Sequence, residues 1–173
     1  MCEQPLITIV DEQDEVIEYK DRLSLNYEKD IYRVSALWVI DFDGNILLAQ
    51  RSLSKKHHPG LFGPAVAGTV EQGETYRGNI IKEAEEELGL TNLDIIELDK
   101  EISKSKYTHF TTWFFTQIHK DTEFILEDNE VASVRWFSPS ELKELMSNQP
   151  ELFLESLIKK YEYINNLVRS VEM

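Results

Sequence analysis

Glu83, Glu86 and Glu87 are the residues of this 173-residue chain whose types and spacing most directly suggest chemistry. They fall in the run Glu83-Ala84-Glu85-Glu86-Glu87, four carboxylates in five positions. On an α-helix, residues three and four apart share a face, so position 83 faces both 86 and 87 while Glu85 points aside into solvent. Three like charges on one face repel one another. Such a face is either simply solvated or kept for a cation, and clustered carboxylate oxygens suit a hard divalent ion, Mg2+ first and Mn2+ second. A bound ion would remove the repulsion and create a place for phosphate.

A second group has the opposite sign. Arg51, Lys55, Lys56, His57 and His58 form a small basic island in a chain of net charge −14. That overall charge argues against nucleic acid or an anionic membrane as partner, because both need a basic face. A small phosphorylated substrate is compatible with it only if the sign is reversed locally, by a cation, by a basic island, or by both. His57 and His58 read as exposed loop residues.

These side chains must be positioned by a mixed set of elements. Residues 6–10 read as a strand, with 16–19 as its hairpin partner. Residues 34–41 and 46–52 form a second hairpin around Asp43-Gly44. The chain then enters the basic loop, a short strand at 66–70, a turn, and a helix from Thr75 to Leu88 that Gly89 stops. Strands follow at 94–102, 110–118 and 131–137. Ser138-Pro139-Ser140-Glu141 is a capping box with proline at the first helical position. Apolar residues Phe153, Leu154, Leu157, Ile158, Tyr161, Ile164 and Val168 predict one last amphipathic helix from Pro150 to near the end. The expected fold is a single α+β domain, a mixed β-sheet with helices packed on its faces. Its core would span about residues 34–146, with an N-terminal hairpin before it and the last helix, about 150–170, behind it.

The whole stretch 68–90 resembles the Nudix box: a glycine, five residues, a glutamate, seven residues, then Arg-Glu-aliphatic-x-Glu-Glu-x-Gly-aliphatic. Gly68, Glu74, Glu83, Glu86, Glu87, Gly89 and Leu90 match, Gly73 sits in the turn before the helix, and Ala84 fills the aliphatic place. Lys82 stands where the family has arginine. The resemblance implies a Nudix fold and hydrolysis of a diphosphate linkage in a nucleoside diphosphate derivative or a related small phosphorylated metabolite. It implies that Glu83, Glu86 and Glu87 hold Mg2+ with a backbone carbonyl near Gly68, that Glu83 orients or deprotonates water, and that Glu74 anchors loop and helix. Lysine keeps the charge at 82 but lacks the planar fork of arginine, so weaker positioning is expected. A catalytically weak Nudix-fold nucleotide-binding module is the alternative reading.

The segment around 51–76 also looks like the isopentenyl-diphosphate isomerase-like branch of that superfamily, which implies that Arg51 and Lys55 face a substrate diphosphate. Isomerisation itself is not expected. It needs a cysteine before the box glycine and a histidine after it, and these places hold Ala67 and Thr69. The strand Thr108–Phe115 lacks a carboxylate, and the only cysteine is Cys2. Proton transfer to and from carbon needs placed acid and base groups.

Glu123, Glu127, Asp128 and Glu130 are acids outside the box, with Glu130 in the most family-like setting. Of the aromatic residues Phe62, Tyr107, Phe110 and Trp113, all but Phe62 read as core. One cysteine excludes an internal disulfide, and the N-terminus lacks the basic start and apolar core of a signal peptide, so a cytoplasmic protein is expected. A homodimer is left open.

Overall fold

The computed structural model describes residues 4–171. Cys2 lies outside them. All nine strands join one sheet. They are β1 (Ile7–Val10), β2 (Val16–Lys20), β3 (Ile31–Asp41), β4 (Ile46–Arg51), β5 (Phe62–Pro64), β6 (Val66–Thr69), β7 (Ile96–Lys104), β8 (Thr108–Ile118) and β9 (Val131–Phe137). The helices are α1 (Tyr76–Leu88), α2 (Pro139–Asn148), α3 (Glu155–Lys159) and α4 (Tyr161–Val171).

β3 is the hub. It runs parallel to β8 from Tyr32↔His109 to Asp41↔Ile118 and antiparallel to β6 from Val34↔Thr69 to Leu37↔Val66. It also pairs with β1 and β4, and β4 carries β5 and β9. The two-residue period of β3 sorts its side chains. Ala36, Trp38 and Ile40 enter a core layer closed by α2, α3 and α4, whereas Leu37 and Val39 enter a second layer with Ile80, Ala84 and Leu88 of α1. The sheet therefore lies between α1 and the C-terminal helices, the mixed α+β arrangement expected.

Local chemistry accounts for the helix ends. Thr75 caps α1 by accepting from the Gly78 N–H at 2.9 Å, and Ser138 caps α2 by accepting from the Glu141 N–H at 3.2 Å. The expected single last helix is not formed. A 3-10 turn at Pro150–Leu152 is followed by an extended Phe153, and only then come α3 and α4. Phe153 pairs with Phe62 of β5, and the Leu154 N–H donates to the Phe62 carbonyl at 2.9 Å. Burying the Phe153 ring between Phe62 and Phe137 outweighs helical continuity, while Leu157, Tyr161, Ile164 and Val168 still reach the core from the separate pieces. β5 itself, three residues long, is too short to show in the hydrophobic pattern.

The N-terminal hairpin supports the segment before α1. The Thr8 N–H donates to the Val70 carbonyl at 3.3 Å and the Gln72 N–H to the Leu6 carbonyl at 2.7 Å. Asp14, buried in the β1–β2 turn, accepts from Arg33, Lys100 and the Tyr76 hydroxyl, and so ties that turn to the first residue of α1.

Candidate active site

α1 is held at both ends before its carboxylates are considered. Gly89 takes φ 69° and closes the helix by donating to the Glu85 carbonyl at 2.9 Å. The segment after β8 satisfies two more carbonyls of the last turn, as the Ile125 N–H donates to Leu88 at 3.0 Å and the Glu127 N–H to Glu87 at 3.1 Å. A Cβ at Gly89 would lie 2.9 Å from Ile125 Cβ, so the position needs glycine for space as well as for conformation.

Against this fixed helix, Glu83 packs onto β6. A Cβ at Gly68 would stand 2.4 Å from the Glu83 carboxylate carbon, so the missing side chain is what lets the carboxylate reach the strand backbone. Burial, helped by Glu86 and Glu71 and opposed by Lys82, pushes the Glu83 carboxyl above the ordinary glutamate range. Glu87, one turn on, is 8% exposed. Burial first, then the charges of Glu83 and Glu130, push its carboxyl up to about 8, while Lys55 and the Ala67 N–H favour the charged form. Glu86 and Glu85 are exposed and line a shallow hollow with Gly89, Ile125 and Glu127. The structure thus brings Glu83 and Glu87 against β6 and leaves Glu86 coupled to Glu83 through charge.

The turn before α1 carries its own network. Glu74 accepts from the Glu71 N–H and from Asn79 Nδ2, each at 2.9 Å, and from Lys82 Nζ at 2.7 Å. Burial opposes ionisation of Glu74, but Lys82, the Glu71 N–H and Asn79 together hold its carboxyl below the ordinary range. Lys82 also reaches Glu71 at 2.9 Å and Glu83 at 3.7 Å. The lone ammonium thus bridges Glu71 and Glu74 and lies within ion-pair distance of Glu83. Gly73, at φ 84°, turns the chain into this network.

The basic island shares a groove with Glu87. Arg51, Lys55, Ala67, Glu87, Glu130 and Leu154 are among its lining residues. Lys55 forms an ion pair with Glu130, and the loop is bound to the 127–131 turn through the Ser52 N–H, which donates to the Glu130 carbonyl at 2.9 Å. Arg51 donates Nε to the His57 carbonyl at 3.1 Å and makes no ion pair among the described residues. Lys56, His57 and His58 are exposed. Of the distal acids, Glu130 is in the groove, whereas Glu127 lines the outer hollow.

Phe62 and Tyr107 depart from the expected division of aromatic residues. Phe62 packs into the core 5.5 Å from Phe137, whereas Tyr107 sits half-buried with Tyr27 at 4.9 Å and the exposed His57 at 5.6 Å. Trp113 is core, stacked on Trp38. The box pattern does not contain Asn79 or Glu71. Asn79 stands one helical turn before Glu83, which does not by itself distinguish it from other polar helix residues, and nothing in the spacing marks Glu71.

A sheet between two helical layers thus carries, on one helix, the carboxylates Glu83 and Glu87 beside the glycine-bearing strand β6, with a basic loop near Glu87. The NUDIX domain family matches residues 30–157, and the chain belongs to the Nudix hydrolase family. It is 32% identical over 162 residues to the uncharacterized Nudix hydrolase all7351 of Nostoc sp., covering 92% of this chain and 95% of the relative. The crystal structure of DR0079 from Deinococcus radiodurans matches with TM-score 0.76 and 25% identity over 97% of this chain and 99% of that one. The Nudix domain of Shewanella oneidensis NrtR, solved with ADP ribose, matches with TM-score 0.57 and 14% identity, over 72% of this chain and 81% of that one.

Among the described residues, no three carboxylate, imidazole or thiol side chains are gathered into a closed metal-ligand set. The donor chemistry nevertheless fits a hard divalent cation. Glu83 and Glu87 offer oxygen donors on one helix face, and both have their charged forms disfavoured, by burial first and then by neighbouring carboxylates, Glu86 and Glu71 for Glu83 and Glu83 and Glu130 for Glu87. A cation reverses that penalty. No described helix is long and apolar enough to cross a membrane.

Proposed function

We propose that this protein is a Mg2+-dependent pyrophosphohydrolase acting on a nucleoside diphosphate derivative or a similar small phosphorylated metabolite, with Mn2+ able to replace Mg2+. The observation that carries this reading is the pair of carboxylates on one helix face, Glu87 buried and Glu83 part-buried where only glycine at 68 leaves it room. The nucleotide bound by the Shewanella oneidensis Nudix domain supports the substrate class.

Glu83, Glu86 and Glu87 would hold the ion, with the backbone at Gly68 beside them. The ion supplies neutralisation of phosphate oxygens and acidification of a water at the reacting phosphorus. Arg51 and Lys55 bind the diphosphate in the groove, where Arg51 makes no ion pair among the described residues and Lys55 exchanges Glu130 for phosphate. Glu83 orients the attacking water and accepts its proton at a carboxylate oxygen. Glu74 holds the turn before α1 through the Glu71 N–H and Lys82. Ala67 presents only a methyl group to the groove, so no acid or base stands at that place for chemistry on carbon.

The test is a panel of nucleotide sugars, ADP-ribose, dinucleoside polyphosphates and nucleoside triphosphates, assayed for diphosphate cleavage with Mg2+ and with chelator. Cleavage of at least one compound, abolished by chelator, is expected. Binding of a nucleotide without turnover of any would instead make the protein a nucleotide-binding module.

A further inference from the structure

Asn79 is fully buried on the inner face of α1, one turn before Glu83. Its amide nitrogen faces three acceptors: the Thr69 carbonyl at 3.2 Å, Glu74 Oε2 at 2.9 Å and Glu83 Oε1 at 3.2 Å. Three acceptors around one atom require the NH2 group there and fix the orientation of the amide. The cost falls on the other end, because Asn79 Oδ1 is buried with no hydrogen-bond partner. An orphaned buried acceptor is destabilising, and an apolar residue at this core position would avoid that penalty.

We infer that Asn79 is a positioning residue for the metal-binding carboxylate Glu83, sharing that task with Lys82. The inference rests on the reading of Glu83 as a metal ligand. The division of labour follows from the geometry. Lys82 Nζ lies 2.7 Å from Glu74 and 3.7 Å from Glu83, so its close contact is with the turn rather than with the ligand. Asn79 Nδ2 touches both carboxylates and also Thr69, the last residue of β6. A single planar amide, rigid on the helix and out of reach of water, thereby sets where Oε1 of Glu83 stands relative to the Gly68 backbone. It does so without adding a charge that would compete with a bound cation. Partners of this kind, which orient a ligand without touching the metal, typically contribute 10- to 100-fold to metal affinity, as a rough guide.

The experiment measures Mn2+ binding to the substrate-free protein, together with Tm, for the unaltered chain, Asn79→Ala, Asn79→Ser, Glu83→Gln, Glu74→Gln and the Glu74→Gln/Asn79→Ala double variant. Serine keeps a polar group in the same space, but its hydroxyl is too short to bridge Glu74 and Glu83. Both Asn79 variants are expected to stay folded and to bind Mn2+ about tenfold more weakly. The same weakening is expected from Asn79→Ala in the Glu74→Gln background, because the contact to Glu83 does not run through Glu74. Unchanged Mn2+ affinity in the folded variants overturns the inference. So does an effect that vanishes in the Glu74→Gln background, and so does failure of both Asn79 variants to fold, which would make the residue structural. If the unaltered chain binds no Mn2+, or Glu83→Gln binds as tightly, the metal reading itself fails.

Discussion

At position 68 a methyl group would occupy the space now taken by the Glu83 carboxylate. The atoms in the way belong to the end of a flexible side chain and not to the sheet, and Gly68 has no positive φ to lose. Gly68→Ala should therefore leave Tm within a few degrees of the unaltered protein while turnover falls by about a hundredfold, the usual scale of a 1 Å misplacement. Steady-state kinetics and a thermal melt on the same preparation check this. Glu87 makes a second prediction. Its folded carboxyl, pushed up to about 8 from the ordinary 4.5, stays protonated where the unfolded chain has ionised. The native state then binds more protons, so stability without metal is highest below pH 4.5 as far as this group is concerned, and falls as pH rises towards 8. Glu87→Gln should raise the metal-free Tm at pH 8 by several degrees, lose most of that gain by pH 5, and abolish turnover. Calorimetry at the two pH values checks the sign. At this scale the charged residues were legible because helical spacing sorts them. Asn79 was not, since an uncharged amide acquires meaning only when Glu74 and Glu83 are seen on either side of it.

α1 works as a rigid carrier because its C-terminal turn is closed by Gly89 and by the backbone of residues 125–127. Gly89→Ala meets both a left-handed backbone and the Ile125 side chain, and a destabilisation of about 1–3 kcal/mol is expected. Urea unfolding measures it directly; a shift of a few tenths of that size would mean that the cap is dispensable. The Ser138 cap, the glycine stop and the strands β3, β4, β8 and β9 were legible because each rests on local chemistry or on a period of two, although the Glu141 carboxylate pairs with Arg135 rather than completing the capping box. The last helix was misread for a physical reason. The apolar spacing of 153–168 is compatible with one helix, but Phe153 gains more by lying along β5 with its ring among Phe62 and Phe137. Only the tertiary partner decides between the two. β5 and the Tyr27–His57–Tyr107 cluster were hidden likewise, because their stability comes from segments distant in sequence.

On the scale of the whole molecule, a strongly acidic chain still sets two basic side chains, Arg51 and Lys55, at the groove. A protein of net charge −14 repels a free diphosphate, yet Arg51 and Lys55 line one groove together with Glu87 and Glu130. Opposite charges thus stand around one gap, where a bound cation would lie against the carboxylates and phosphate against the basic loop. The layered sheet fixes that gap from both sides, as α1 is packed on one face and the loop is bound to the start of β9. The most direct measurement is Mg2+-dependent diphosphate hydrolysis by the unaltered protein beside Glu86→Gln and Glu87→Gln, on the best compound of the nucleotide panel. Turnover that requires Mg2+ and disappears in both variants, with folding retained, is the predicted result. Turnover that survives in both variants, or proceeds undiminished with chelator, would contradict the metal-dependent site.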